Sequence, residues 1–107
     1  MTDSEIYLVY TTFPDLPAAK ALCDQLLEER LIACANFIPN MQALFRWEGQ
    51  VGVSPETIAL LKTSRRLYPQ LEDRIRRGHP YACPCILAFT PQAGLAEYMD
   101  WIHQETQ

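Results

Sequence analysis

The sequence of 107 residues is 49% hydrophobic and carries a formal net charge of −4, which predicts a single domain over residues 1–107. An acidic chain lacks the basic surface that binding to a phosphate backbone requires, so nucleic acid is not expected as a partner. No apolar run approaches the ~20 residues that span a bilayer, and residues 1–5 lack the features of a signal peptide, so we expect a soluble, cytoplasmic protein without membrane contact.

The first two predicted elements are a strand and a helix joined by a turn. Residues 6–12 are rich in β-branched and aromatic side chains, which favours a strand, and residues 13–15 contain the turn signal Pro14. Asp15 is a good helix cap, and Pro17 is tolerated in a first helical turn. A helix ending near residues 28–30 is predicted from apolar residues at helical spacing: Ala19, Leu22, Cys23, Leu26 and Leu27.

Residues 31–63 have the pattern of two long strands joined by a tight turn. Apolar residues occupy both odd and even positions between 31 and 38, which is typical of a strand covered on both faces. Glu48 and Gly49 tolerate a tight reversal, and residues 57–61 suit a returning strand. The sequence therefore predicts a long hairpin centred on residues 46–50.

The predicted hairpin is too long to lie inside one compact domain. An arm of about 15 residues spans roughly 50 Å at ~3.3 Å per residue, whereas a domain of this size has a diameter of about 33 Å. We expect Pro39 and Asn40 to interrupt the arm, because proline removes a hydrogen-bond donor of the sheet. We also expect another chain to cover the distal half, since Phe45 and Trp47 would otherwise form an exposed apolar patch.

A second helix, a short strand and a third helix complete the predicted order. The second helix is expected to begin at Thr63 or Ser64, with Pro69 marking either a kink or its true start. Gly78 suits its C-terminal end, and residues 85–90 suit a short apolar strand. The last amphipathic helix carries Leu95, Tyr98, Met99 and Ile102. The order β-α-β-β-α-β with a terminal helix is that of an α+β, ferredoxin-like sandwich, whose open sheet face would need cover from another subunit.

One segment concentrates side chains that bind metals. His79, Cys83 and Cys85 lie within seven residues, and two thiols two positions apart point to one side of an extended segment. Thiolate and imidazole suit copper or zinc. The spacing matches no standard zinc module, and cysteine also serves as a small hydrophobic filler. A metal site and a purely structural role are therefore alternatives here.

Two further features concern positive charges of the chain. Lys62 ends an apolar run, so it is either the solvent end of a strand or a cation that lines a pocket and faces Glu48 or Glu56 of this chain or of a neighbour. The arginines before Gly78 form either a solvated face or an anion site. They are Arg74, Arg76 and Arg77.

Several motifs along the chain resemble those of the CutA family of divalent-cation-tolerance proteins. They are Leu31-Ile32-Ala33-Cys34-Ala35-Asn36 with Pro39, Phe45-Arg46-Trp47-Glu48-Gly49, Lys62-Thr63, His79-Pro80-Tyr81, Pro84 and Tyr98-Met99-Asp100-Trp101. The resemblance covers nearly the whole chain. It implies a ferredoxin-like subunit in a tight homotrimer similar to the PII signalling proteins, with long hairpins that exchange strands between subunits. It also implies a response to metal ions with copper binding.

The chain departs from the family pattern at the proposed metal ligands. Some bacterial relatives carry a cysteine in the first strand and a His-His pair before Pro-Tyr, where this chain has Thr11 and Gly78-His79. A glutamate usually follows the proline that matches Pro84, and here that residue is Cys85. Because the oxygen donor is replaced by a thiol, copper is expected as Cu(I).

Two functions from different classes follow. The first is a metal-responsive homotrimer that binds copper through His79, Cys83 and Cys85. The second is a PII-like sensor that binds a small anionic ligand in an intersubunit cleft formed by Lys62, His79, Tyr81, Trp47 and Glu48, where the charge of Lys62 would keep His79 neutral. For both, the trimer interface is expected at Phe45, Arg46 and Trp47. The sequence contains no catalytic motif, so an enzyme is not expected.

Overall fold

Four antiparallel strands form one sheet in the computed structural model, which describes residues 5–107. The strands are β1 (Ile6–Phe13), β2 (Cys34–Trp47), β3 (Gln50–Ser64) and β4 (Ile86–Phe89), in the spatial order β2-β3-β1-β4. The helices are α1 (Leu16–Glu28), α2 (Tyr68–Gly78) and α3 (Ala96–Glu105). The α+β, ferredoxin-like prediction with an additional C-terminal helix is confirmed. The expectations that include residues 1–4, namely the domain bounds and the missing signal peptide, lie partly outside the described residues.

The core lies between one face of the sheet and helices α1 and α2. Alternate residues of β1 and β3 point to this face, and among them Val9 and Leu61 are fully buried. Asp15 caps α1 as predicted, because its Oδ1 accepts a hydrogen bond from the backbone N–H of Ala18 at 2.8 Å. The same cluster contains the apolar stripes of both helices: Ala19, Leu22, Cys23, Leu26, Leu71 and Ile75.

The start of α2 differs from the sequence prediction, whereas its end at Gly78 agrees with it. Thr63 and Ser64 still belong to β3, where they pair with the first residues of β1. A single 3-10 turn over Arg65–Leu67 follows, and Pro69 lies in the first turn of α2, so it marks the true start of the helix. Gly78 is the last residue of α2 and is required for close packing, since a Cβ atom there would lie 2.9 Å from a methyl carbon of the α1 residue Leu22.

β2 and β3 form the predicted long hairpin. Their two-residue turn consists of Glu48 and Gly49, both with positive φ (50° and 80°), as a tight hairpin of this kind requires. β3 pairs with β1 only as far as Thr57, so residues 41–56 form a two-stranded extension of the sheet, which we call the ribbon. The protein is accordingly elongated, with extents of 47 × 27 × 22 Å.

The predicted interruption of β2 is a bulge within a continuous strand. Residues 38–41 of β2 lie opposite residues 56–58 of β3, so β2 has one residue more than its partner at this point. Asn40 has φ +63°, a left-handed conformation that asparagine tolerates better than most residues. Pro39 and Asn40 therefore change the register of the hairpin without ending the strand.

α3 covers only one end of the second sheet face. Ile102 and Met99 pack there against Ile6 of β1 and Ala33, which precedes β2. We call the rest of this face the open face. By strand alternation it carries Leu8, Tyr10, Asn36, Ile38, Ile58, Leu60, Lys62, Leu87 and Phe89.

Candidate functional site

His79 is held by both of its ring nitrogens. Its Nε2 lies 2.7 Å from the backbone oxygen of Thr12, and because a carbonyl only accepts, Nε2 carries the proton and donates it. Nδ1 then accepts a hydrogen bond from the backbone N–H of Tyr81 at 3.1 Å. The ring also stacks on Phe13 with a centroid distance of 4.5 Å, and His79 is buried. Binding a metal through His79 would break one of its two hydrogen bonds.

The imidazole of His79 is neutral for a different reason from the one predicted. Burial lowers the pKa of His79 from its ordinary value of 6.5, although the bond to Thr12 and the charge of Glu56 oppose this. The predicted cause, the charge of Lys62, lies too far away within the chain. Lys62 pairs with Leu8, four register positions along β1 from Thr12, which is roughly 13 Å at ~3.3 Å per residue.

Tyr81, Glu56, Tyr10 and Cys85 form a cluster beside His79 at the base of the ribbon. The hydroxyl of Tyr81 donates a hydrogen bond to Glu56 Oε2 at 2.7 Å. Burial, followed by this bond, raises the pKa of Tyr81, and burial together with nearby charges raises the pKa values of Tyr10 and Cys85. These two phenols and this thiol are therefore protonated near pH 7. No local pattern indicates the bond of Glu56, since its partner lies 25 residues away in the chain.

A groove of about 860 Å³ runs along the ribbon from this cluster towards the turn. Met41, Phe45 and Trp47 of β2 line it on one side. Cys83 and Cys85 border it from the loop between α2 and β4. Phe45 and Trp47 are 44% and 54% exposed, so the groove presents large apolar side chains to its surroundings.

The three predicted metal ligands do not assemble into one site within the chain. Both nitrogens of His79 are occupied, and Cys83 and Cys85 are exposed free thiols. Among residues 5–107, no group of three histidine, cysteine, aspartate or glutamate side chains has an arrangement suited to a metal ion. The raised pKa of Cys85 also opposes the thiolate form that a metal requires. Only the two thiols share a common space, the groove.

Lys62 lies half-buried on the open face and has no carboxylate partner within residues 5–107. Its Nζ is 3.6 Å from Cys34 Sγ and donates a hydrogen bond to Asn36 Oδ1. Glu48 is in the turn of the ribbon and Glu56 is bonded to Tyr81, so neither faces Lys62 within the chain. Within the part of the chain that the structure describes, the positive charge of Lys62 has no counter-ion.

The predicted cleft residues lie in three separate places. Lys62 is on the open face, His79 and Tyr81 are at the base of the ribbon, and Trp47 and Glu48 are at its tip. Tyr81 and Trp47 border the same groove, whereas Lys62 does not. A cleft containing all five residues therefore requires more than one subunit.

The arginines of α2 are paired with acidic side chains. Arg74 Nε lies 3.1 Å from a carboxylate oxygen of Glu29. Arg76 and Arg77 bond to the two carboxylate oxygens of Asp73 at 3.0 and 2.9 Å, and these bonds lower the pKa of Asp73. These three arginines are therefore paired with acidic side chains, and Arg76 and Arg77 are also exposed to solvent.

Known proteins match the chain over almost its whole length. Residues 7–105 match the family model described as CutA1 divalent ion tolerance protein. The divalent-cation tolerance protein CutA of Pyrococcus horikoshii is 40% identical over 100 residues, covering 94% of this chain and 97% of that protein. The crystal structure of CutA from Xylella fastidiosa has a TM-score of 0.92 and 34% identity, covering 99% of this chain and 100% of that chain. The structure of CutA from Archaeoglobus fulgidus, described as periplasmic, has a TM-score of 0.91 and 32% identity, covering 95% and 99%.

Proposed function

The chain belongs to the CutA1 family of divalent ion tolerance proteins, and from this premise we propose that it acts in the response to metal ions as a homotrimer. The family is named for metal tolerance and not for a catalysed reaction. The ribbon is the observation that supports assembly. It extends beyond the sheet and exposes Leu44, Trp47 and Val53 by 74%, 54% and 67%. A two-stranded hairpin is at best marginally stable alone in water, so cover from other subunits would stabilise it.

The free strand edges support the same assembly. β2 is an edge strand along its whole length, and residues 50–56 of β3 extend beyond the end of β1. Exposed edges with apolar faces favour pairing with another chain. We propose that the ribbons exchange strands between three subunits, the number that the resemblance implies, with Phe45, Arg46 and Trp47 at the interface. Light scattering tests this directly, since a mass near the 12.3 kDa of one chain would contradict it.

We propose copper as the metal, bound as Cu(I) by the thiols of Cys83 and Cys85. Both thiols border the groove, and thiolate ligands favour the softer ion. The hydrogen bonds of His79 to Thr12 and Tyr81 favour a supporting role, in which the imidazole positions the loop that carries the thiols. Alternatively, the imidazole of His79 is a third ligand of the metal, in which case one of these two hydrogen bonds is lost. Affinity should rise with pH, because the metal displaces the thiol protons.

Cu(I) titration of three variants separates these roles. The double variant Cys83→Ser/Cys85→Ser should lose Cu(I) binding, whereas the matched control Cys34→Ser should retain it. His79→Gln should lower the affinity less than the double variant if the imidazole only positions the loop. Equal losses would make His79 a ligand, and Cu(I) binding that survives the double variant would contradict the thiol site.

A PII-like sensor of a small anionic ligand is the second candidate, because Lys62 has no acidic partner in the described chain. In this function Lys62 supplies the positive charge. The other cleft residues would lie close to it only if they came from a neighbouring subunit; they are His79, Tyr81, Trp47 and Glu48. Lys62→Ala should then abolish binding of the anion while leaving the affinity for Cu(I) unchanged or higher, since it removes a positive charge. Loss of the trimer in Lys62→Ala would instead make the lysine structural.

We propose a cytoplasmic location, which cell fractionation with an antibody to the protein would test. Recovery in a membrane-enclosed compartment outside the cytosol would contradict the proposal. Independently of location, no helix among residues 5–107 combines the length and apolar character that crossing a bilayer requires.

A further inference from the structure

A second cavity lies between α3 and the open face. Its volume is about 220 Å³, and it shares no lining residue with the groove along the ribbon. Its walls are mostly apolar, with Lys62 as the one charged side chain among its described lining residues. Its apolar lining residues include Ile6, Leu8, Ala93, Met99 and Ile102.

Lys62 brings an uncompensated charge to this cavity. An ammonium group has three N–H donors, and the two partners of Lys62, the thiol of Cys34 and the side-chain carbonyl of Asn36, are both uncharged. A half-buried ammonium without a counter-ion is unfavourable, so the site gains free energy when an anion joins it.

We propose that this site binds a small monocarboxylate with an apolar body. The carboxylate accepts hydrogen bonds from Lys62 Nζ, and the apolar body fills the cavity beneath α3. The proposal rests on the sensor function in one respect, namely that Lys62 binds the anion. It goes further by naming the class of ligand and by placing the site within a single chain. It needs neither copper nor His79.

Charge and size select this class of ligand. Among residues 5–107, no arginine or second lysine lines the cavity, so a single negative charge is matched, whereas a phosphate group would carry up to two. The cavity has the volume of about seven water molecules at ~30 Å³ each, which accommodates a branched or aromatic body but not a nucleotide. An apolar body displaces water from apolar walls, so it adds affinity that a bare anion lacks.

Calorimetric titration of the full chain with 3-phenylpropionate tests the proposal. The wild type should bind it at least about tenfold more tightly than 3-phenylpropanamide, because the carboxylate adds the attraction of opposite charges to the hydrogen bond that the amide carbonyl also accepts from Lys62. Acetate and inorganic phosphate should also bind far more weakly than 3-phenylpropionate, since neither has the apolar body. Equal binding of the amide, or no binding of the carboxylate, would overturn the proposal.

Three variants locate the site. Lys62→Met keeps the apolar stem and removes the charge, so it should weaken 3-phenylpropionate binding at least about tenfold. Lys20→Met is the matched control, since Lys20 is the other lysine of the sequence and is exposed on α1, and it should bind like the wild type. Ala93→Leu retains Lys62 and adds volume at the cavity wall, so it should also weaken binding.

The outcomes separate this proposal from the functions above. Unchanged binding in Lys62→Met or in Ala93→Leu would place the carboxylate elsewhere and overturn the inference. The inference is also overturned if a neighbouring subunit already supplies a carboxylate to Lys62. In that case the wild type will not bind 3-phenylpropionate, and Lys62→Met will lower the mass measured by light scattering because it weakens the trimer. Trimer mass and Cu(I) affinity are measured separately on the same variants, so a failure here leaves those proposals to their own tests.

Discussion

The neutral ring of His79 links α2, β1 and the loop before β4 through two hydrogen bonds of opposite direction. Nε2 donates to Thr12, and Nδ1 accepts from Tyr81. Protonation turns Nδ1 into a donor that faces the N–H of Tyr81, so the charged ring cannot keep both bonds. The loop that carries the thiols is therefore coupled to the protonation of a single side chain.

The free energy of unfolding should decrease as the pH falls below about 6.5. The pKa of His79 is lowered in the folded protein, so between that value and the ordinary 6.5 the unfolded chain binds a proton that the folded chain does not. His79→Phe keeps a ring against Phe13 and should lose this part of the pH dependence. Urea unfolding between about pH 5 and pH 7.5, at one protein concentration, measures it. A wild-type slope in His79→Phe would contradict the assignment.

The sequence predicted the neutral state of His79 but not its cause. Its partner Thr12 lies 67 residues earlier in the chain, and no periodic pattern connects residues that far apart. The same holds for Glu56 and Tyr81. The extended backbone of His79, by contrast, follows from its neighbour Pro80, because proline restricts the backbone of the residue before it.

At the scale of the elements, the ribbon depends on a glycine opposite an aromatic ring. Gly52 pairs with Phe45 across the two strands, and a Cβ atom on Gly52 would lie 2.9 Å from two carbons of that ring. Carbon atoms do not approach so closely without a shift, so the ring occupies space that only glycine leaves open. The position of Phe45 in the groove is thereby set by a residue without a side chain.

Gly52→Ala should displace the ring of Phe45 and destabilise the protein by about 1 kcal/mol, the lower end for overpacking, because the ring is partly exposed. A double-mutant cycle tests the contact: in a Phe45→Ala background, the same glycine change should cost almost nothing. Unfolding by urea measures all four proteins. Additive effects would mean that the methyl group and the ring do not meet.

Local patterns predicted the strands and helices well because periodicity and turn residues act over a few positions. The turn at Glu48 and Gly49 and the cap at Asp15 are of this kind. The start of α2 was predicted too early because Thr63 and Ser64 resemble helix caps in sequence, whereas pairing with β1 keeps them in a strand. Tertiary hydrogen bonds decided that boundary, and they are not visible in a local window.

At the scale of the whole molecule, Trp47 and Trp101 provide a matched pair for testing assembly. Trp47 is 54% exposed at the tip of the ribbon, whereas Trp101 on α3 is 39% exposed and stacks on Tyr98. Trp47→Ala should raise the dissociation constant of the proposed trimer by about tenfold or more, as expected for an aromatic anchor at an interface, and Trp101→Ala should have the smaller effect. Light scattering over a dilution series measures both. An unchanged trimer with normal thermal stability in Trp47→Ala would remove Trp47 from the interface.

The bulge at Pro39 and Asn40 restricts the insertions and deletions that the ribbon can accept. The extra residue shifts the register of the hairpin by one, and only in the shifted register do Trp47 and Gln50 face each other across a two-residue turn. Deleting one residue from either strand would force a different turn, and deleting one from each would move every side chain of the remaining tip to the opposite face. The ribbon can keep its turn and the faces of its side chains only if each strand gains or loses two residues. Natural variants of this protein should therefore lengthen or shorten their ribbons in steps of four residues.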